Sequence, residues 1–325
     1  MSDRTALYLP SRAKLNLVLR IVGRRDDGYH LLDSLFHAIA LHDDVVVEHV
    51  PQSGGIGITC TADHDRLLVP ADESNLAVKA LMLVRNELGK KAHGGFQIRL
   101  HKRIPNGGGL GGGSSNAAAV LRLSNRLLGD AIDDERLQEL GAKLGADVPF
   151  FLRGGSQWGR GIGAELHPAD PVNGQFVLLV PPYGCGTVEV YKKHAAWWRA
   201  EDGAATLHSI TVPDNWDSAV GIGFSNDLER AAEQVRPELG RLRHAVAEAG
   251  YALVRMSGSG STLFVAVPDA ESAQQCQRQL ASALAQTEHR DVSFVQTTSG
   301  PAIDVDQPSS QIPATLRHPP PDPLC

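Results

Sequence analysis

The chain opens on a period of two. In "AKLNLVLRIVG", Leu15, Leu17 and Leu19 alternate with polar or small neighbours, and "DDVVVEHV" continues the alternation. Both stretches predict half-buried β-strands. The period then lengthens. "NLAVKALMLVRNELG" repeats its apolar positions at three and four residues, predicting a helix capped by Ser74 or Asn75 and stopped by Gly89. "GFQIRLHKRI" returns to alternation, with Phe96, Ile98 and Leu100 on one face. A second helix is expected over "SSNAAAVLRLSNRLLG", ending at Gly129, and a third from near Asp133 to just before Gly145. "ADVPFFLRGGSQWGRGIGAEL" reads as a turn and a further strand.

The second half repeats the mixture. "FVLLVPPYG" predicts a buried strand and then a break, which puts a domain boundary near 165–185. "AAWWRA" reads as a helix face, and "SNDLERAAEQVRPELGRLRHAVAEAG" as strongly helical. "ALVRMSGSGSTLFVAV" predicts strand, glycine turn and strand, followed by a helix over 271–286 and a late strand at "VSFVQTT". The last 25 residues hold seven prolines and little apolar content, so this tail is expected to be extended or disordered. The expected division is 1–170, 171–298 and a tail of 299–325.

Composition narrows the function classes. A net charge of −6 argues against bulk electrostatic attraction to nucleic acid or anionic lipid, partners that normally ask for a basic face, and leaves a local basic pocket possible. No apolar run approaches the roughly 18–20 residues of a membrane helix, and "MSDRTALYLP" lacks the layout of a secretion signal. The four cysteines, Cys60, Cys185, Cys276 and Cys325, form no CxxC pair and read as reduced thiols. A cytoplasmic protein is expected.

The chemistry concentrates at "NGGGLGGGSSNAAA", where six glycines precede a helix. Strand, glycine loop and helix form the geometry in which free backbone N–H groups converge on an anion, aided by the positive end of the helix dipole. Ser114 and Ser115 can cap the helix or offer hydroxyls to a phosphate or its metal. A Walker A loop is excluded because GK[ST] is absent. Gly107, Gly109 and Gly112 fit G-x-G-x-x-G, yet the acids about 20 residues on, Asp133 to Glu135, open a helix instead of closing a strand.

"IPNGGGLGGGSSNAAA" resembles the phosphate loop of the GHMP kinases. Supporting stretches occur in the family's order: "AKLNLVLRIVGRRDDGYHLLDSLFHAIAL", "LGADVPFFLRGG", "SNDLE" and "MSGSGSTLF". Gly108, Trp158, residues 195–220 and the tail depart from the family pattern. The resemblance implies a two-domain α+β fold, with an N-terminal domain like ribosomal protein S5 domain 2 and a ferredoxin-like C-terminal domain. It also implies phosphoryl transfer from ATP, with Mg2+, to the alcohol of a small molecule, and it leaves a homodimer open.

By that resemblance, Lys14 and Asp147 are the expected catalytic residues. ATP is expected on Pro105, Asn106, Gly107, Gly108, Gly109, Leu110, Gly111, Gly112, Gly113, Ser114 and Ser115. Asn16, Tyr29, His30 and Tyr191 are matched to the acceptor, Tyr29 and Tyr191 as stacking faces for a cytosine ring and His30 as reader of its polar edge. Gly258, Ser259 and Gly260 are expected to close the site from the second domain. The metal ligands stay unassigned. Read physically, Asp147 follows a helix and precedes apolar "VPFF", a half-buried setting in which a carboxylate needs a nearby cation to stay ionised. Lys14 fits that need; alone, it also fits an edge lysine and Asp147 a turn former. Two rivals remain: a family member with a homoserine, mevalonate or sugar acceptor, and a nucleotide-binding sensor without turnover.

Overall fold

The alternating N-terminal stretches form two long antiparallel strands, β1 (Thr5–Arg24) and β2 (His30–Val50), paired from Thr5↔His49 to Arg24↔His30. The computed structural model describes residues 5–25, 28–51, 54–64, 67–170, 172–196, 223–300 and 312–316. β4 (Gly95–Lys102) pairs antiparallel with the second half of β2, and β3 (Ile56–Ala62) lies parallel to β4. The first half of β2 carries β5 (Ser156–Gly161), which pairs with β6 (Glu165–Pro168).

The expected helices cover this sheet. α1 (Leu76–Leu88) is capped by Asn75, whose side chain accepts from Ala77 N, and stops at Gly89 with φ 54°. α2 (Gly112–Leu127) begins inside the glycine run, two residues earlier than its small-residue pattern suggests. α3 (Asp134–Leu144) is capped by Asp133. α4 (Val148–Arg153) is a short helix where the sequence suggested a turn; its proline sits in the first turn, where a missing N–H costs nothing. Phe96, Ile98 and Leu100 of β4 pack with buried alanines of α2 and with Phe150 and Phe151 of α4 in one core.

The second sheet contains β7 (Gln175–Val180), β9 (Arg255–Met256), β10 (Leu263–Val267) and β11 (Ser293–Thr298) in the order β11-β7-β10-β9. Its helices are α5 (Thr187–Ala195), α6 (Glu229–Val235), α7 (Pro237–Glu248) and α8 (Ala270–Leu284). Strand, helices, two strands, helix, strand in that spatial order is the ferredoxin-like arrangement the resemblance implied. "SNDLE" departs from its helical reading, because Ser225–Asn226 forms β8 and pairs parallel with β1 at Val18 and Leu19. The N-terminal sheet thus takes one strand from the second half of the chain. Trp197 and Trp198 lie outside the described residues, as does most of the tail. Within the tail, Ile312 and Leu316 are buried against Tyr8 and Val46 of the N-terminal sheet.

A third core joins the two sheets. Ala13, Leu15, Leu17, Leu35 and Ile39 meet Phe176, Leu178 and Phe264 with all eight buried, which leaves little freedom for one half to slide on the other. His37 is embedded beside it. Its Nε2 lies 3.0 Å from Ser299 Oγ and its Nδ1 2.9 Å from Ser156 Oγ. Ser299 Oγ already donates to Val172 O, so it accepts from Nε2–H, and Nδ1 faces the Ser156 hydroxyl. Burial pushes this imidazole down to about 4.

A histidine held neutral in the fold and free to protonate when unfolded costs no stability above about pH 6.5. Below that, the unfolded state gains protons first, so stability falls until pH nears the folded value. His37 should therefore remove about 3 kcal/mol of unfolding free energy between about pH 6.5 and pH 4. Urea titrations of the parent and His37→Asn should show a shallower acid slope in the variant.

Candidate active site

β4 runs into the glycine loop at Lys102, and α2 leaves it at Gly112. Both ends are tied to one buried carboxylate on β2. Asp43 Oδ1 accepts from the backbone N–H groups of Arg103 (2.7 Å) and Ile104 (2.9 Å). Its Oδ2 accepts from Lys102 Nζ and from Asn116 Nδ2 of α2. Lys102 Nζ also donates to Asn116 Oδ1 at 3.0 Å. Asn116 donates to Ser11 Oγ, which donates in turn to Ser115 Oγ at 2.7 Å. Asp43, Lys102, Asn116, Ser11 and Ser115 are all buried.

Between these ends the loop is pinned from two sides. Leu110 O accepts from Lys14 N of β1, Gly109 O from Ser257 Oγ, and Gly108 O from Thr262 N. Glycine at 109 answers to that packing: its φ is +76°, and a Cβ would stand 2.1 Å from Ser257 O. A Cβ on Gly111 would likewise strike the Phe151 ring at 2.6 Å. Gly113 differs. The nearest atom to its added Cβ is Leu76 Cδ1 at 3.7 Å, and the residue lines open space.

That space is a cavity of about 840 Å³ between the two sheets. Pro105 through Ser114 line it, together with Lys14, Asn16, Tyr29, His30, Asp147, Tyr191, Gly258 and Ser259. Two expected site residues fall outside it: Ser115, turned inward to Ser11, and Gly260, whose added Cβ would meet Met256 Sδ at 2.8 Å. The reading missed Arg24, Leu76, Thr187, Val188 and Lys192, which also line the cavity. Thr187 and Lys192 flank Tyr191 on α5, and Arg24 precedes the "DGYH" turn, so proximity to a named residue was the available signal.

Lys14 and Asp147 face this cavity from different elements. Lys14 is buried on β1, donates to Asn16 Oδ1, and lies 5.8 Å from the centre of the Phe36 ring. Burial pushes its ammonium group down, and the charge of Asp147 acts in the opposite direction. Asp147 precedes α4 in helical backbone conformation and makes no cap hydrogen bond, so its carboxylate is not used up by the helix. Lys14 is the cation near Asp147 that the sequence suggested: it hydrogen-bonds to Asn16, and Asp147 acts on it through its field. Gly258 closes over this group. Its φ is +56°, and a Cβ there would lie 3.2 Å from Lys14 Nζ and 3.4 Å from Asn16 Oδ1.

An aromatic wall occupies the other end. His30 and Tyr191 have ring centroids 5.1 Å apart, and the buried His30 Nε2 makes no hydrogen bond. Burial and the neighbouring His194 and Arg24 push the His30 imidazole down, which favours its neutral form. Tyr29 is 65 % exposed at the rim, as is Val188 at 68 %. One cavity therefore joins a backbone-lined loop, a lysine with a carboxylate, and an apolar wall with one unfilled ring nitrogen.

The family comparisons agree with this geometry. Residues 75–155 match the model of the GHMP kinases N terminal domain, and 214–286 that of GHMP kinases C terminal. The 4-diphosphocytidyl-2-C-methyl-D-erythritol kinase of Protochlamydia amoebophila is 36 % identical over 80 % of this chain and 84 % of its own. The chloroplastic kinase of that name from Arabidopsis thaliana is 38 % identical over 81 % of this chain and 68 % of its own. A crystal structure of 4-(cytidine 5'-diphospho)-2C-methyl-D-erythritol kinase superimposes with a TM-score of 0.72 at 34 % identity, covering 91 % of this chain and 100 % of the other.

The two kinds of glycine should separate in stability. Gly109→Ala must displace the 257 carbonyl or the loop, and should lower the thermal midpoint sharply. Gly113→Ala adds a methyl in open space on the first turn of α2, and should leave the midpoint unchanged or raise stability by up to about 1 kcal/mol. Thermal unfolding of both variants checks this.

Proposed function

The chain belongs to the GHMP kinase family, and from that premise we propose that it transfers the γ-phosphoryl group of ATP to the 2-hydroxyl of 4-diphosphocytidyl-2-C-methyl-D-erythritol. That reaction belongs to the non-mevalonate route to isoprenoid precursors. One observation carries the reading: the glycine loop, Lys14, Asp147 and the His30–Tyr191 wall all line a single cavity. A homoserine or mevalonate acceptor offers no base for that wall.

Phosphoryl transfer asks mainly for positioning and charge stabilisation. The backbone from Gly107 to Gly113 and the start of α2 supply N–H groups and a positive dipole end to the ATP phosphates. Asp147 receives the proton of the acceptor hydroxyl as the new P–O bond forms. Lys14 neutralises charge gathering between donor and acceptor, with its ammonium aimed by Asn16 and Gly258. His30 Nε2 meets the polar edge of cytosine while Tyr29 and Tyr191 offer stacking faces. Ser114, a hard oxygen donor at the loop end of the cavity, would help hold a Mg2+ ion accompanying ATP, which would neutralise phosphate charge and leave Asp147 free for the proton. Among the described residues no helix is long and apolar enough to cross a membrane, and Cys60, Cys185 and Cys276 are free thiols. The free thiols fit a reducing compartment, and we place the enzyme in the cytoplasm.

ATP consumption with the cytidylated acceptor, compared with homoserine and mevalonate, tests the assignment; equal rates with all three would sink it. Asp147→Asn should lower kcat by about 10²–10⁴-fold with ATP affinity nearly unchanged, measured by steady-state kinetics and nucleotide titration. Tyr29→Ala should raise KM for the cytidylated acceptor by about tenfold, since stacking contributes ~1–3 kcal/mol per base, and leave KM for ATP near its parent value. Equal changes in both constants would remove cytosine stacking from Tyr29.

A further inference from the structure

The "SNDLE" motif has no part in the chemistry above, yet Asn226 is buried and fully engaged close to the active centre. Its carboxamide donates both hydrogens to backbone carbonyls, Met256 O at 2.8 Å and Gly258 O at 2.7 Å. Its Oδ1 accepts from Leu228 N at 2.9 Å. From the other side, Glu229 Oε1 accepts from Met256 N at 2.9 Å. The strand carrying Asn226 is paired to β1 at Leu19, on the strand that holds Lys14 and Asn16. The segment so gripped then reaches three parts of the site. Ser257 Oγ accepts from Asn16 N and donates to Gly109 O, Gly258 stands against Lys14 Nζ, and Ser259 Oγ lies 2.9 Å from Thr187 Oγ1.

We propose that Asn226 is a positioning residue for the phosphoryl transfer: its carboxamide fixes the 256–258 backbone, and through it the separation of Lys14 from the glycine loop. Only a side chain with two donors and an acceptor on one short stem meets this set of partners. An isosteric carboxylate would face two carbonyl oxygens with no proton to share, and repulsion would displace the Gly258 peptide that stands beside Lys14. Asp227, the next residue, docks the same strand differently. Its Oδ2 accepts from Ile21 N at 2.8 Å and it touches none of the segment 256–259 through a described hydrogen bond. Strand docking and clamp positioning are therefore separable in adjacent residues.

The proposal rests on the kinase reading, and the test keeps the two apart. Turnover with ATP and the cytidylated acceptor, ADP affinity, thermal midpoint and amide exchange of 256–262 are measured for the parent, Asn226→Asp, Asn226→Ser and Asp227→Ala. The Asn226 variants should lose about tenfold or more in kcat, hold ADP affinity within about threefold, and exchange faster at 256–262. Asp227→Ala should lose thermal midpoint while keeping kcat within about twofold. Asn226 variants with parental kcat, or kcat losses that merely track the midpoint as in Asp227→Ala, overturn the proposal. A parent chain without turnover overturns the kinase reading instead, and with it any catalytic role for the clamp; slow exchange at 256–262 in the Asn226 variants would then also remove its structural half.

Discussion

The Asp43 carboxylate is the fixed point of the molecule's chemistry. A loop with six glycines gives up much freedom on ordering, at roughly 1–2 kcal/mol per residue for the backbone alone. Asp43 counters this by gripping the loop's first residues through two backbone N–H groups and the start of α2 through Asn116. Lys102 compensates the buried charge, so the cluster is stable only as a whole; removing one partner of a buried ion pair costs on the order of 3–5 kcal/mol. Strand end, loop and helix start are thereby set on one frame before any ligand arrives. Pre-set backbone dipoles need little reorganisation when charge develops, which is the most economical form of electrostatic stabilisation.

The second half of the chain completes this frame. Ser257 and Thr262 hold the carbonyls of Gly109 and Gly108, and Lys14 N holds that of Leu110, so three successive loop carbonyls point into protein. A peptide whose carbonyl is turned inward presents its N–H groups elsewhere, and the cavity is where they become available. The third core, where Leu15 and Leu17 meet Phe176 and Phe264, makes this closure a permanent feature of the fold. Catalysis by positioning needs such rigidity, because a shift of about 1 Å at the reacting atoms can cost a hundredfold in rate.

Much of this was legible in the sequence, and the omissions have physical causes. The strand at Leu15, Leu17 and Leu19, the cap at Asn75, the stop at Gly89 and the strand face of Phe96, Ile98 and Leu100 are local signals, and the structure bears them out, although Ala13 to Leu19 are buried on both faces because the second domain covers the side expected to be exposed. Ser225–Asn226 looked helical because its strand exists only through pairing with a partner some 200 residues away, which no local pattern encodes. "VPFF" looked like a turn because four apolar residues are too few to show a helical period. At the site, sequence placed the loop, Lys14 and Asp147 together but could not orient side chains. Ser115 was grouped with Ser114 by adjacency, yet neighbours on a helix point about 100° apart, and only Ser114 reaches the cavity. Asp43, Lys102 and Asn116 gave no signal at all: each is an ordinary polar residue until the fold buries the three together.

The glycine density itself has two sources. Sequence reasoning credits the run to the approach of an anion, and Gly113, open toward the cavity, fits that account. Gly109 and Gly111 do not: their missing side chains admit Ser257 O and the Phe151 ring. Gly258 on the opposing loop is under a milder form of the constraint, with Gly109 O and Lys14 Nζ both 3.2 Å from where a methyl would stand. A loop trapped between β1, α4 and the second domain packs Leu110 inward and leaves no room for side chains at 109 and 111, whatever binds outside. The run is long because the same few residues must lie thin on both faces, inward for the closure of two domains and outward for the phosphates. A glycine loop that only bound an anion could be shorter, and one that only packed would have no need to open a helix toward a cavity.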